Sequence, residues 1–297
     1  MSERVLISEP GLYPNITAEQ YHNSELCPEP SATSTLLREC LRCPRKAWWN
    51  SHMNPEREPK DTEALRYGKA MHALLFEMSE FEARFVILPD EFNGRTSEGK
   101  DLVASIKERG QLPLKGEEYR KLLAMRDVVL RDEIAAASFS NGLFEPTLAW
   151  KDPETGIWLR SRLDFLPEQR TWIPDYKTST SSDPGPNGFG KSCAGYGYYI
   201  QAAVYLEGIE RVFGERPKGF YFVVQEKEPP YVVSAIPLST WQLDMGWREM
   251  RRAIERWADC LERDHWPGYV EEPTEARFPA YAEIELQRRY AVEMNAP

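Results

Sequence analysis

The sequence predicts an α/β fold in which helices flank a central sheet of about five strands. Three observations carry that reading. Strand-like patterns gather in the second half of the chain, at 144–150, 157–165, 171–176, 219–225 and 231–237. Helical patterns lie before and after them, at 32–50, 62–78, 116–137 and 240–264, and one more, at 198–213, crosses between the third strand and the fourth. A chain of 297 residues, 41% of them hydrophobic, suffices for one sizeable core. One compact domain over 31–270 is expected, with an N-terminal extension over 1–30 and a tail over 271–297.

The second strand pattern alternates. Ile157, Leu159, Leu163 and Phe165 fall on one face, and Arg160, Arg162 and Asp164 on the other. A polar turn through Glu168, Gln169 and Arg170 leads to the third strand pattern, so the two segments read as a hairpin. Asp175 and Lys177, two residues apart, share a face, and the hairpin places Asp164 beside them. Hard divalent cations take oxygen ligands, and Mg²⁺ is held by one or two carboxylates. A lysine beside such an ion orients an attacking water and faces the charge that builds on phosphorus. Asp164, Asp175 and Lys177 thus point to metal-dependent phosphodiester cleavage, against the blander reading of a solvated strand edge.

With four further stretches the arrangement resembles the PD-(D/E)XK nuclease superfamily, and within it the RecE-type (exodeoxyribonuclease VIII-like) phage and prophage exonucleases and the RecB nuclease domain. Gly68-Lys69-Ala70-Met71-His72 resembles the helical Gly-x-x-x-His of that branch, Glu145 the acid on the strand before the core, and Gln201 to Tyr205 its Gln-x-x-x-Tyr helix. Ser34 to Trp48, with Leu36, Leu37 and Pro44, resembles the opening helix. The match runs from about residue 31 to about 269. It implies a restriction-endonuclease-like core with a mixed central sheet. It also implies roles: His72, Asp164, Asp175 and the Tyr176 carbonyl as ligands of Mg²⁺, for which Mn²⁺ substitutes; Lys177 positioning water; Glu145 assisting a second metal or orienting Lys177; Gln201 and Tyr205 placing the scissile phosphate. Read from the residues alone, His72 in its apolar run also suits a core position, and the i, i+4 pair Gln201 and Tyr205 also suits plain packing.

The formal charge of −10 does not suit a broadly basic DNA-binding surface, so positive charge is expected in a channel, with Arg160, Arg162, Lys177 and Lys191 as candidates. Lys191 lies in a Gly-rich stretch, 184–197, read as a loop that touches DNA or as a flexible connector. The polar stretch 89–116, with Gly94, Gly99 and Gly110, reads as a lid or an irregular connection, and the tail carries a charged segment, 284–292, suited to a helix. Five cysteines include Cys40-x-x-Cys43, but with only Cys193 and Cys260 following, the four-cysteine cluster set of some relatives is not formed. The odd count argues for a reducing compartment. No apolar run approaches a membrane span and no basic-then-apolar leader opens the chain, so a cytoplasmic protein without a membrane partner is expected.

The resemblance implies a DNA exonuclease that acts on duplex ends, degrades the 5′-ended strand to leave 3′ overhangs for recombination, forms a ring-like trimer or tetramer, and works with a RecT-like single-strand annealing protein. Alternatives are a Cas4-like single-strand exonuclease, a structure-specific endonuclease of the same superfamily, or a catalytically silent DNA-binding scaffold.

Overall fold

A computed structural model of the chain describes residues 5–58, 62–76, 78–179 and 185–294. The chain opens with β1 (Gly11–Tyr13), α1 (Ala18–Asn23) and β2 (Ser31–Ala32), then α2 (Ser34–Arg42) and α3 (Pro44–Asn50). Next come α4 (Glu63–Phe76), α5 (Met78–Arg84), β3 (Phe85–Leu88), α6 (Ser97–Glu108), β4 (Leu112–Lys115), α7 (Gly116–Arg131) and α8 (Glu133–Ser138). The central strands are β5 (Gly142–Phe144), β6 (Thr147–Lys151), β7 (Trp158–Arg162), β8 (Phe165–Pro167) and β9 (Trp172–Ser179). The helices α9 (Pro186–Tyr196) and α10 (Tyr198–Phe213) cross to β10 (Gly219–Glu226) and β11 (Val233–Pro237), and α11 (Thr240–Arg263) and α12 (Ala280–Met294) follow.

The sheet is mixed, as expected, but it is divided. One part has the order β1-β6-β7-β2 and another β11-β10-β9, with the small pairs β3-β4 and β5-β8 beside them. The expected hairpin is not formed: β7 pairs with β6 and β2, whereas β9 runs parallel to β10, Asp175 opposite Phe222. The reason lies in burial. Residues 173–176 are buried on both faces, the situation of a parallel strand covered by helices on each side, and a helical crossover supplies its partner. One core joins Ile173, Phe220, Phe222 and Val224 to Trp150, Leu159, Val204 and Trp257; another joins Tyr176 and Val223 to Met71, Leu74, Leu122 and Met125. Helices therefore cover both faces of β9 and β10, giving three layers. Close approach of α10 depends on Gly208, where an added Cβ would meet the Trp150 ring at 2.6 Å.

Other departures from the expected elements follow from local chemistry. The helix pattern 32–50 breaks at Cys43, which is extended (φ −162, ψ 103) because it precedes Pro44. The pattern 116–137 breaks at Asp132, whose carboxylate caps α8 by accepting from Ala135 N–H at 2.8 Å. The strand pattern 144–150 breaks at Glu145, in the left-handed region at φ +47, before Pro146, and 157–165 breaks at Leu163-Asp164. The stretch 89–116 holds α6, capped by Thr96, and β4. Of the Gly-rich stretch, Pro184 lies outside the described residues and 186–196 is helix, with Pro186 in its first turn and Gly197 at φ +68 closing it. The elements 198–213 and 240–264 match α10 and α11, and the tail helix is α12. Residues 5–30 pack onto the body: Ile7, Ile16, Tyr21 and Leu26 bury against Ala149 and Trp158, and β1 pairs with β6.

Candidate active site

Asp175 and Lys177 lie on the α10 face of β9, as the period of two requires, and the Lys177 ammonium meets Asp175 Oδ2. Asp175 is 0% exposed; its Oδ1 accepts from Gln201 Nε2 at 2.9 Å, while Oδ2 has no partner in hydrogen-bond geometry among the described residues despite the ion pair. The Lys177 ammonium also stands 5.3 Å from the Tyr198 ring centre. Asp164 sits in the break after β7, and its Oδ2 accepts from the Tyr176 main-chain N–H at 2.7 Å. A side chain thus makes the link between the two strands that a hairpin ladder was expected to make. The other oxygen, Oδ1, faces His72 Nδ1 of α4 at 3.7 Å. The His72 ring packs edge-on against Tyr176 and Phe76. The left-handed turn at Glu145 brings that residue to the same place, its N–H donating to the Asp164 carbonyl at 3.1 Å.

Electrostatics mark these groups as a unit. Burial pushes Asp164 up to about 6, with Lys177 and the Tyr176 N–H opposing and Glu145 adding to the rise. Burial, and then the Asp164 charge, push Asp175 up to about 6 as well. Burial and the Lys177 charge hold His72 below the usual imidazole range, so it is neutral at pH 7. Burial pulls Lys177 down, but Asp175 and Asp164 together outweigh it and raise the ammonium. Among the described residues no group of three or more His, Cys, Asp or Glu side chains is placed to hold a metal ion by itself. What stands together is a pair of neighbouring carboxylates, Asp164 and Asp175, whose like charges oppose each other. That donor set, with an under-satisfied Asp175 Oδ2, fits a hard divalent cation.

The remaining sequence candidates are engaged within the protein or stand apart from the acids. Arg160 is 2% exposed, its guanidinium donating to the Tyr21 carbonyl at 2.6 Å and lying over the Tyr21 ring; it faces the interior, not a channel. Arg162 donates to Glu145 Oε2 from Nε at 3.1 Å and to the Ile16 carbonyl from Nη1, engaged within the protein. Gln201 and Tyr205 are 6% and 7% exposed and hydrogen-bonded inside the protein. Alternation had set Arg160 and Arg162 on a polar face, but residues 5–30 cover that face. The Tyr176 side chain is buried and donates to Gln225, leaving only its main chain toward the acids. Lys191 stands exposed on α9, outside this network.

Sequence reasoning missed several neighbours. Arg38 of α2 lies in the field of Asp175, Tyr198 and Tyr205 and donates to the Tyr196 carbonyl at 2.6 Å. On the Glu145 side, burial and then Lys69, Arg162 and Arg160 lower His22 to about 4, and burial, Arg160 and Arg57 lower His52 to about 3. This is a local concentration of positive charge in a chain of net −10. The N-terminal residues carry no motif that would have revealed it.

A three-layer core in which the half-buried Asp164, just after β7, meets the buried Asp175 and the Lys177 of mid-β9 defines the PD-(D/E)XK nuclease class. Residues 33–277 match the family described as a PDDEXK-like domain of unknown function (DUF3799), and the chain belongs to it. The solved structure of a candidate exonuclease from Eubacterium rectale has the same fold, at a TM-score of 0.56 and 13% identity over 91% of this chain and 96% of that one. A phage-related exonuclease from Haemophilus somnus 129PT is similar over 57% of this chain and 85% of its own, at 12% identity and a TM-score of 0.28. No curated protein matches the sequence. Among the described residues no helix is long and apolar enough to cross a membrane.

Proposed function

We propose that the protein is a divalent-metal-dependent DNA exonuclease acting on duplex ends. The observation that carries this is the pair of carboxylates, half-buried Asp164 and fully buried Asp175, both raised to about 6 and both facing Lys177 in a PDDEXK-like domain. His72, Asp164 and Asp175 would hold Mg²⁺, or Mn²⁺ in its place, with the Tyr176 carbonyl and Glu145 in reach of the same space. When bound, the cation would supply Lewis acidity toward the phosphodiester and neutralise charge developing on it. Lys177 keeps its proton at Nζ and presents it where the oxygens on phosphorus gain charge during attack. Neutral His72 offers a nitrogen lone pair instead of a competing cation. The burial of Asp175 strengthens its charge interactions with Lys177 and Asp164.

The resemblance extends the proposal to degradation of the 5′-ended strand, 3′ overhangs for recombination, a ring-like trimer or tetramer and a single-strand annealing partner. The test is digestion of linear duplex labelled separately at its 5′ and 3′ ends, with and without Mg²⁺, beside covalently closed circles and the Lys177→Ala variant. Metal-dependent loss of the 5′-ended strand from linear DNA alone, absent in the variant, is the expected result. Cleavage of circles would reassign the protein as an endonuclease, and inactivity on every substrate with Mg²⁺ or Mn²⁺ would make it a silent scaffold.

A further inference from the structure

We propose that Gln201, Tyr205 and Arg162 are positioning residues that fix the Asp175 and Glu145 carboxylates, and that none of the three grips DNA. The proposal rests on the nuclease reading above. An amide Nε2 carries two hydrogens. One from Gln201 goes to Asp175 Oδ1 at 2.9 Å and the other to Tyr205 Oη at 3.1 Å. The single Tyr205 hydroxyl hydrogen goes to the Arg162 carbonyl at 2.8 Å. Every donor on both side chains is engaged, and reaching a phosphate would break a buried hydrogen bond. The Arg162 guanidinium continues the path, donating to Glu145 Oε2 from Nε and Nη2.

The path runs Asp175, Gln201, Tyr205, Arg162, Glu145, and it crosses a structural gap. Asp175 belongs to β9 and Arg162 ends β7, in two sheets that share no hydrogen-bonded ladder among the described residues. α10 spans that gap, and the i, i+4 spacing of Gln201 and Tyr205 sets one side chain against each sheet. With Oδ1 taken by Gln201, the Asp175 carboxylate is pinned so that Oδ2 turns toward Lys177. At the other end, Arg162 holds Glu145 against its left-handed backbone. Removing groups that orient metal ligands in this way lowers metal affinity about 10- to 100-fold.

The test measures Mn²⁺ binding directly, by the loss of the free-ion electron paramagnetic resonance signal, in wild type, Gln201→Ala, Tyr205→Phe, the double variant and Asp175→Ala. Duplex affinity is measured alongside by fluorescence anisotropy in Ca²⁺. Tyr205→Phe deletes one oxygen and keeps the ring, so thermal unfolding is expected to report a folded protein. Both single variants are expected to weaken Mn²⁺ about 10- to 100-fold, with duplex Kd within about threefold of wild type. The double variant should lose little more than the worse single one, because both act through one path. Unchanged Mn²⁺ affinity in the single variants overturns the proposal, as does a tenfold loss of duplex affinity in them. If Asp175→Ala binds Mn²⁺ as wild type does, the metal site itself is misassigned and the nuclease reading fails first.

Discussion

Asp152 and Asp175 are both buried acids in one core, and they are treated in opposite ways. Asp152, just after β6, is held by both Nη atoms of Arg251 on α11 and accepts from the Thr155 hydroxyl at 2.7 Å and the Thr155 N–H at 2.9 Å. Burial pushes its pKa up, but Arg251 and Thr155 outweigh burial and keep it below the usual carboxylate range. Asp175, at the other site, has one clean hydrogen bond, an Oδ2 held only by the ion pair with Lys177 and a second carboxylate for a neighbour, and it rises to about 6. A carboxylate whose lone pairs are all met by the protein ties elements together. One left short of partners is prepared for something the protein does not itself contain.

The largest effects should separate these roles completely. Lys177→Ala and Asp175→Ala are expected to abolish cleavage, by about a thousandfold or more, since each removes a charge that the reaction needs. Thermal unfolding should show both variants folded. Asp152→Ala is expected to do the reverse: it takes from Arg251 its buried partner, leaving the ion pair with exposed Glu154, and costs about 3–5 kcal/mol of stability, while the remaining folded protein cleaves DNA at a normal rate. An active Asp175→Ala protein, or an inactive but fully stable Asp152→Ala protein, would erase the distinction.

Next in size is the pH dependence without metal. Asp164, raised to about 6 in the folded state from an ordinary value near 4, favours folding fully below about pH 4, and that contribution is lost as pH rises through about 6. Asp164→Asn keeps an oxygen to accept from the Tyr176 N–H. In chelator it should be about 1–3 kcal/mol more stable than wild type at pH 8 and equal to it at pH 4. Asp152 has the opposite sign: held low when folded, it contributes stability at neutral pH that disappears on acidification. Urea unfolding at the two pH values reads both, and equal ΔG for Asp164→Asn and wild type at pH 8 would show that the site carboxylates are not under strain.

Adding Mg²⁺ sharpens the same contrast. An ion that binds only the folded state stabilises it by about 2.7 kcal/mol at a hundredfold excess over Kd. Wild type should gain Tm on titration with Mg²⁺ at pH 8, and Asp164→Asn should gain much less. A Tm insensitive to Mg²⁺ and Mn²⁺ would count against the site as a metal site.

How far all this was legible depends on the range of the interaction. The Asp175 and Lys177 face followed from the period of a strand, and the Gln201 and Tyr205 face from the period of a helix; both are local geometry. The partner of β9 was not legible, because adjacency in sequence suggests a hairpin and only packing on both faces selects the parallel strand β10. Nor was the fate of Arg160 and Arg162. Their polar face is real, but it is covered by residues 5–30, and Arg162 finds Glu145 only because a left-handed residue before Pro146 turns the chain there. The left-handed backbone of a glutamate leaves no trace in composition or periodicity.

The smallest expected effect tests whether the contrast between engaged and available groups holds for cations too. Arg160 and Arg162 are engaged inside the protein, whereas Lys191 projects from α9 into solvent. If Lys191 contacts one phosphate, Lys191→Ala should weaken duplex binding equally across sequences and lower the slope of log K against log salt by about 1, leaving Tm and Mn²⁺ affinity untouched. Arg160→Ala should lower Tm, because it leaves the Tyr21 carbonyl unpaired in a buried cluster, and the folded fraction should keep the wild-type salt slope. Anisotropy titrations at several salt concentrations distinguish the two. A slope unchanged in Lys191→Ala would place the phosphate path away from α9, and a slope changed in Arg160→Ala would mean that the N-terminal cover lifts when DNA binds.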